Sequence, residues 1–275
     1  MKIASWSVNG VNRRLQYLQH WLRKRQPDIV ALQKIRVSGK HRGNFPRKAI
    51  EEVGYRVEEL LVDHELASVA VLVRQDFLQT NGHRELKVRQ RGLAGREADG
   101  RLLAVDAGRA QVASIYAPFA PCGYGTRDQV RRSIETKADW LRRLKQWADQ
   151  WDARKPILLC GDFNVTLDGG SEPDTLNRSP EEREAMNSLL ASGFADLYRD
   201  FHGEGEPGFN SGIPITRPAD TRLHLVLGPP SVVPHIKSAW VDLEYRGPIN
   251  DLPGEKWAPG APVIVEVDGD VALTH

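Results

Sequence analysis

Apolar and polar positions alternate from Lys2 to Val8. Ile3, Ser5 and Ser7 fall on one side and Ala4, Trp6 and Val8 on the other, a two-residue period that predicts a strand. Asn9-Gly10 ends it in a turn. Leu15, Leu18, Trp21 and Leu22 then recur at helical spacing, Pro27 stops that helix, and Asp28 to Gln33 predicts a second strand. A basic loop over 35–48 leads to a short helix. Val69 to Val73 reads as an apolar strand, and Leu102 to Val105 pairs with Gln111 to Tyr116 across Gly108.

A long helix spans 128–152. Ile134, Trp140, Leu141, Leu144, Trp147 and Ala148 line one face, which predicts core packing rather than a binding stripe. Ile157 to Cys160 is a short, fully apolar run of the kind buried on both faces of a sheet. Ser179-Pro180-Glu181-Glu182 is a helix start with an N-cap, Pro at the first position and Glu at the third, and Gly193 closes that helix. Residues 202–221 are rich in Gly and Pro and predict a loop.

The 275 residues contain no linker, repeat or low-complexity run, which predicts one domain over 1–275. No apolar stretch is long enough to span a membrane. Two cysteines, Cys122 and Cys160, make no disulfide framework, and with no signal-peptide pattern at the start they point to a cytoplasmic protein, nucleoid association included. The net charge is only +2, but residues 1–52 hold twelve Lys or Arg against three Asp or Glu, a net of +9. Such a basic end suits an anionic partner, and DNA, as duplex, is the expected one. The candidate contacts are Arg13, Arg14, Lys40, Arg42, Arg47, Lys48 and, further along, Arg222.

The chemistry gathers where the apolar run ends in Gly161-Asp162-Phe163-Asn164. Side chains 162 and 164 point the same way on an extended chain, so a carboxylate and an amide meet at a rigid strand end. The same four residues also suit an Asx-rich turn. This segment resembles the GD-x-N signature of the exonuclease III / AP endonuclease family, within the wider endonuclease/exonuclease/phosphatase superfamily. Lys2 to Val11, Gln26 to Gln33 and Ser179 to Glu184 resemble further segments of that family in the same order. The resemblance implies an α/β fold, a four-layer sandwich of two mixed sheets packed face to face with helices outside. It also implies Mg²⁺-dependent phosphodiester hydrolysis.

Against that pattern, Asn9, Tyr116, Asp162 and Asn164 are retained and several other positions are replaced. The family's first strand carries Asn where this chain has Ser7. Its second strand ends in a metal-ligating Glu where this chain has Lys34. Its Arg-Ile-Asp segment has become Arg222-Leu223-His224, and its Ser-Asp-His-Ala-Pro-Val has become Ala258-Pro259-Gly260-Ala261-Pro262-Val263. In the Gly/Pro loop Phe209 survives, but the family's Trp does not. Hydrolysis by this route needs a hard cation on carboxylate oxygens, an oriented base and a His at the developing charge.

The expectation is therefore a catalytically inactive or severely impaired family member that still binds DNA and needs no metal. Lys34 is expected to reach Asp162 or Asn9 in place of the cation. The alternatives are an active Mg²⁺- or Mn²⁺-dependent AP endonuclease and 3′-5′ exonuclease of base-excision repair, and a protein-interaction module on the same scaffold.

Overall fold

A computed structural model describes residues 1–35, 44–62, 68–94, 99–119, 126–151, 157–167, 179–203, 206–211 and 221–268. Among the described residues, twelve strands form two sheets of six. The first sheet has the order β11 (Ile236–Val241), β12 (Val263–Val267), β1 (Lys2–Ser7), β2 (Ile29–Gln33), β4 (Val69–Arg74), β3 (Tyr55–Leu60). The second has the order β5 (Lys87–Arg91), β6 (Leu102–Asp106), β7 (Gln111–Tyr116), β8 (Ile157–Asp162), β10 (His224–Gly228), β9 (Ala195–Asp196). Each sheet contains one parallel pair, β1 with β2 and β7 with β8, so both are mixed.

Strand alternation distributes the apolar residues into layers. Ile3, Ile29, Ala31 and Val71 of the first sheet meet Val105, Val112, Leu158, Cys160 and Val226 of the second in a central seam. The opposite side chains of the first sheet, Ala4, Trp6, Val30 and Leu32, pack on Leu18, Trp21 and Leu22 of α1 (Leu15–Arg25). Those of the second, Leu102, Ala113, Ile115 and Leu159, pack on α4 (Arg127–Asp149) and α5 (Pro180–Ala191) through Trp140, Leu141, Leu144, Met186 and Leu189. Three shorter α-helices, α2 (Arg47–Glu51), α3 (Gln75–Thr80) and α6 (Leu197–His202), complete the α-helices of the described residues. The result is the four-layer sandwich that the resemblance implied.

Two local features hold the site's end of the second sheet. Ser179 and Glu182 form the reciprocal cap expected at the start of α5: the Glu182 amide donates to Ser179 Oγ at 3.2 Å and the Ser179 amide to Glu182 Oε2 at 3.1 Å. The same Glu182 carboxylate meets Lys137 Nζ of α4 at 2.7 Å, both side chains fully buried, and Lys137 donates to the Asn164 carbonyl at 2.6 Å. Gly161 is needed because β7 lies too close for any side chain: a Cβ there would sit 2.1 Å from the Ile115 carbonyl oxygen.

Candidate functional site

The alternation that builds the seam also builds the site. Ser7, Gln33, Tyr116, Asp162 and His224 all have the seam-facing parity of their strands, and all lie at the same end of the two sheets. The pairings Ser7 with Gln33, Tyr116 with Asp162, and Asp162 with His224 place them side by side. Just inside them, Gln33 Nε2 donates to Ser114 Oγ at 3.2 Å, and Ser114 Oγ donates to the Leu32 carbonyl at 2.9 Å. These bonds fasten the sheets together under the cleft.

Lys34 follows Gln33, and alternation alone would send its side chain toward α1. Its backbone is left-handed instead (φ 54°), a turn that returns the stem to the seam. The loop is fixed by Gly10 N donating to the Lys34 carbonyl at 2.7 Å and Val11 N to the Ile35 carbonyl at 3.0 Å. Lys34 Nζ lies 2.8 Å from Asp162 Oδ2, as expected of one of its two anticipated partners. The ammonium also sits 5.0 Å from the centre of the Tyr116 ring, and the Arg101 guanidinium lies at the same 5.0 Å from that ring.

Burial on its own would push the Asp162 carboxyl up, but Lys34 and the neighbouring His224 outweigh it and hold the group well below the usual carboxylate range. Burial likewise pulls the Lys34 amine down, and the Asp162 charge more than restores it, leaving the amine above its ordinary value. The two are therefore an ion pair at neutral pH. Burial raises the Tyr116 phenol, which stays neutral.

His224 of β10 and Gly260, in the segment before β12, fit each other. His224 is buried, with Nε2 3.6 Å from Asp162 Oδ2 and Nδ1 3.4 Å from the Ala261 carbonyl oxygen. Its Cε1 lies where a side chain at 260 would begin: a Cβ on Gly260 would come within 2.4 Å of it. The imidazole of the cleft thus comes from β10. The Gly260 carbonyl is held by Trp6 Nε1 at 2.8 Å. Gly260→Ala is expected to cost about 1–3 kcal/mol of stability by overpacking, and Gly260→Ala with the shorter, neutral His224→Asn to recover part of it, both read from denaturant midpoints.

Asn210, which sequence reasoning overlooked, sets the position of His224. It is fully buried; its Nδ2 donates to the His224 carbonyl at 2.8 Å, and its Oδ1 accepts from the Leu223 and His224 amides at 3.1 and 3.2 Å. Its own carbonyl accepts from Ala261 N at 2.9 Å, so one residue ties β10 to the segment before β12. Its only sequence signal was its place beside Phe209.

The other anticipated residues divide. Asn164 is buried with a left-handed backbone (φ 52°), and its amide donates to the Ala117 carbonyl at 2.8 Å; its amide nitrogen is committed to the corner it forms. Asn9 is exposed, and its carbonyl accepts from the Arg14 guanidinium. Ser7 is buried at the seam end, and Pro259 contributes its carbonyl to Arg246 Nε at 3.2 Å. Arg222 departs from the expectation of a surface contact: it is buried and pairs with Asp196 at 2.5 Å, which satisfies its charge inside the fold. Arg13 and Lys48 are exposed. Arg14 is half-buried and donates to the Trp257 carbonyl at 2.8 Å, and Arg47 pairs with Glu59. Lys40 and Arg42 lie outside the described residues.

The donor set does not fit a hard divalent cation. Such an ion takes several oxygen ligands, and here an ammonium faces the Asp162 oxygen it would use. Among the described residues no three His, Cys, Asp or Glu side chains come together in a way that could hold a metal.

The fold has known counterparts. The Endonuclease/Exonuclease/phosphatase family matches residues 4–227. An exodeoxyribonuclease of Bacillus subtilis is 26% identical over 219 residues, spanning 76% of this chain and 79% of that protein. A 3′-5′ exonuclease (NExo) from Neisseria meningitidis superposes with a TM-score of 0.80 at 23% identity, over 98% of this chain and 100% of that one. A 3′ phosphatase NExo variant from Neisseria, bound to product DNA hairpin, superposes with a TM-score of 0.78 at 23% identity, over 98% and 99%. The chain belongs to the Endonuclease/Exonuclease/phosphatase family, among its exonuclease III and AP endonuclease members.

Proposed function

We propose that this chain binds DNA while its phosphodiester hydrolysis is lost or severely reduced. The observation that carries the reading is the 2.8 Å contact between Lys34 Nζ and Asp162 Oδ2. A fixed positive charge takes the place next to the Asp162 carboxylate, where a catalytic cation would need an open oxygen. The similarity to an exodeoxyribonuclease, and to a neighbour bound to a DNA hairpin, supports DNA as the partner. So does the basic segment 1–52.

Binding of this kind is mainly electrostatic. With four to six phosphates neutralised, log K is expected to fall against log salt with a slope of roughly −4 to −5. A fluorescence titration of an abasic duplex in EDTA at several salt concentrations measures it, and the recovered DNA reports any cleavage. Binding that is absent at low salt, or indifferent to salt, would refute the reading. EDTA is expected to leave the affinity unchanged, because the cleft carries its own cation.

A second reading, an active Mg²⁺- or Mn²⁺-dependent nuclease, draws on His224, whose imidazole lies 3.6 Å from Asp162 and supplies an acid/base group. Strand cleavage that depends on Asp162 separates the two.

A further inference from the structure

A pocket of about 590 Å³ opens at the far end of the sandwich, away from the cleft. Its lining is Arg56 of β3, Gln75 and Gln79 of α3, and Gly82, His83 and Arg84 of the turn that follows. The strand pairings set the separation. Val69 pairs with Gln33 at the cleft end of β4, whereas Arg74 pairs with Tyr55 at the other end, beside Arg56. Six residues of strand lie between the two sites, roughly 20 Å.

Among the described residues, no carboxylate lines this pocket. That is unusual for its surroundings, because the nearby arginines are paired. Arg74 meets Asp28, Arg89 meets Asp106, Arg91 meets Glu58 and Arg47 meets Glu59. Among the described residues, neither Arg56 nor Arg84 has an acidic partner, and both face the same pocket. Two guanidiniums on the wall of one pocket favour an anion between them.

The remaining lining adds donors. Gln75 and Gln79 are one helical turn apart and present two carboxamides from one side of α3. His83 is held in place: its amide donates to the Leu78 carbonyl at 2.9 Å. Its ring packs over Gly108 (φ 93°), where a Cβ would come 3.1 Å from His83 Cδ2. Pockets for apolar ligands are lined mainly by hydrophobic and aromatic side chains. This one offers planar cationic forks, amide donors and an imidazole, the set that matches the tetrahedral oxygens of phosphate.

We infer that this pocket is a second anion site that binds a phosphate group, on a free phosphorylated molecule or on the backbone of DNA, independently of the cleft. The inference does not rest on the proposed loss of hydrolysis. Inorganic phosphate and pyrophosphate are titrated at constant ionic strength into the full chain, with the Gly82 and His83 signals followed by NMR. Wild type, the double variant Arg56→Ala/Arg84→Ala, and Lys34→Glu are compared.

The wild-type signals are expected to shift saturably. The double variant is expected to bind roughly 100-fold more weakly, as two charge-assisted contacts are lost, and Lys34→Glu is expected to behave as wild type at this pocket. A duplex oligonucleotide distinguishes the sources. If it moves the same signals the phosphate is that of DNA, and if only the small anions do it is that of a free ligand. Wild-type signals that do not shift, or that shift equally in the double variant, would overturn the inference. Arg56 and Arg84 are exposed, so the double variant is expected to keep the wild-type unfolding midpoint, and the comparison is of binding alone.

Discussion

Abasic duplex DNA incubated with the purified protein and Mg²⁺ or Mn²⁺ is expected to be cut roughly 10⁴-fold more slowly than by a family member that carries the full catalytic set, if it is cut at all. Removing a single transition-state donor typically costs about 10² to 10³ in rate, and groups that act as a unit fail together. Here several members of the set are changed at once. Lys34 brings one positive charge where a divalent ion would bring two, and it is spent on Asp162. The imidazole now enters from β10, with Nε2 3.6 Å from the same carboxylate oxygen, while position 260 is a glycine. A single-turnover gel assay, with Asp162→Ala alongside, reads this. The two proteins are expected to give the same background, and wild-type cleavage well above that of Asp162→Ala would show that hydrolysis survives.

Lys34→Glu is expected to give the cleft affinity for Mn²⁺ without giving it cleavage. The substitution removes an ammonium from Asp162 and adds a second carboxylate at the end of β2. One unit charge at about 4 Å is worth about 4 kcal/mol at an effective dielectric of 20. The Lys34 side chain is 24% exposed, so water screens part of this. A gain of roughly 10- to 100-fold in Mn²⁺ affinity remains, measurable by calorimetry. Cleavage stays absent because the substitution leaves His224 and Gly260 as they are. A variant that binds Mn²⁺ no better than wild type would mean that the Lys34 charge is not what governs the site.

Much of this architecture was readable from residue patterns. Strands β1, β2, β4, β6, β7 and β8 have clean alternation or short apolar runs, and the Ser179–Glu182 cap announces α5 by itself. Strands β3, β5 and β11 did not stand out. Tyr55–Leu60 carries Arg and two Glu, Lys87–Arg91 is almost wholly polar, and Ile236–Val241 follows no simple alternation. The first two lie at the outer edges of their sheets, where polar side chains face water and a hydrophobic period is not required.

The cleft was legible in its members but not in their fit. That Lys34 would reach Asp162 followed from the position of the second strand's end. The left-handed backbone that makes the reach possible has no sequence signature in a lysine. His224 and Gly260 looked like two separate losses, and only the 2.4 Å approach shows that one makes room for the other. Long-range partners were invisible for the same reason. Asn210 holding His224, Lys137 pairing with Glu182, and Arg222 buried on Asp196 each depend on residues brought together by the fold.

Whether Lys34 occupies the cation's place at Asp162 is read by adding Mn²⁺ to the wild-type protein and following the His224 imidazole by NMR. Mn²⁺ at the cleft would lie within a few ångströms of this ring and broaden its signals at substoichiometric amounts. The wild-type His224 signals are expected to stay sharp at Mn²⁺ concentrations that bleach the same signals in Lys34→Glu. Early, selective broadening in wild type that disappears in Asp162→Ala would contradict this, because the metal would then share the carboxylate that Lys34 is said to hold.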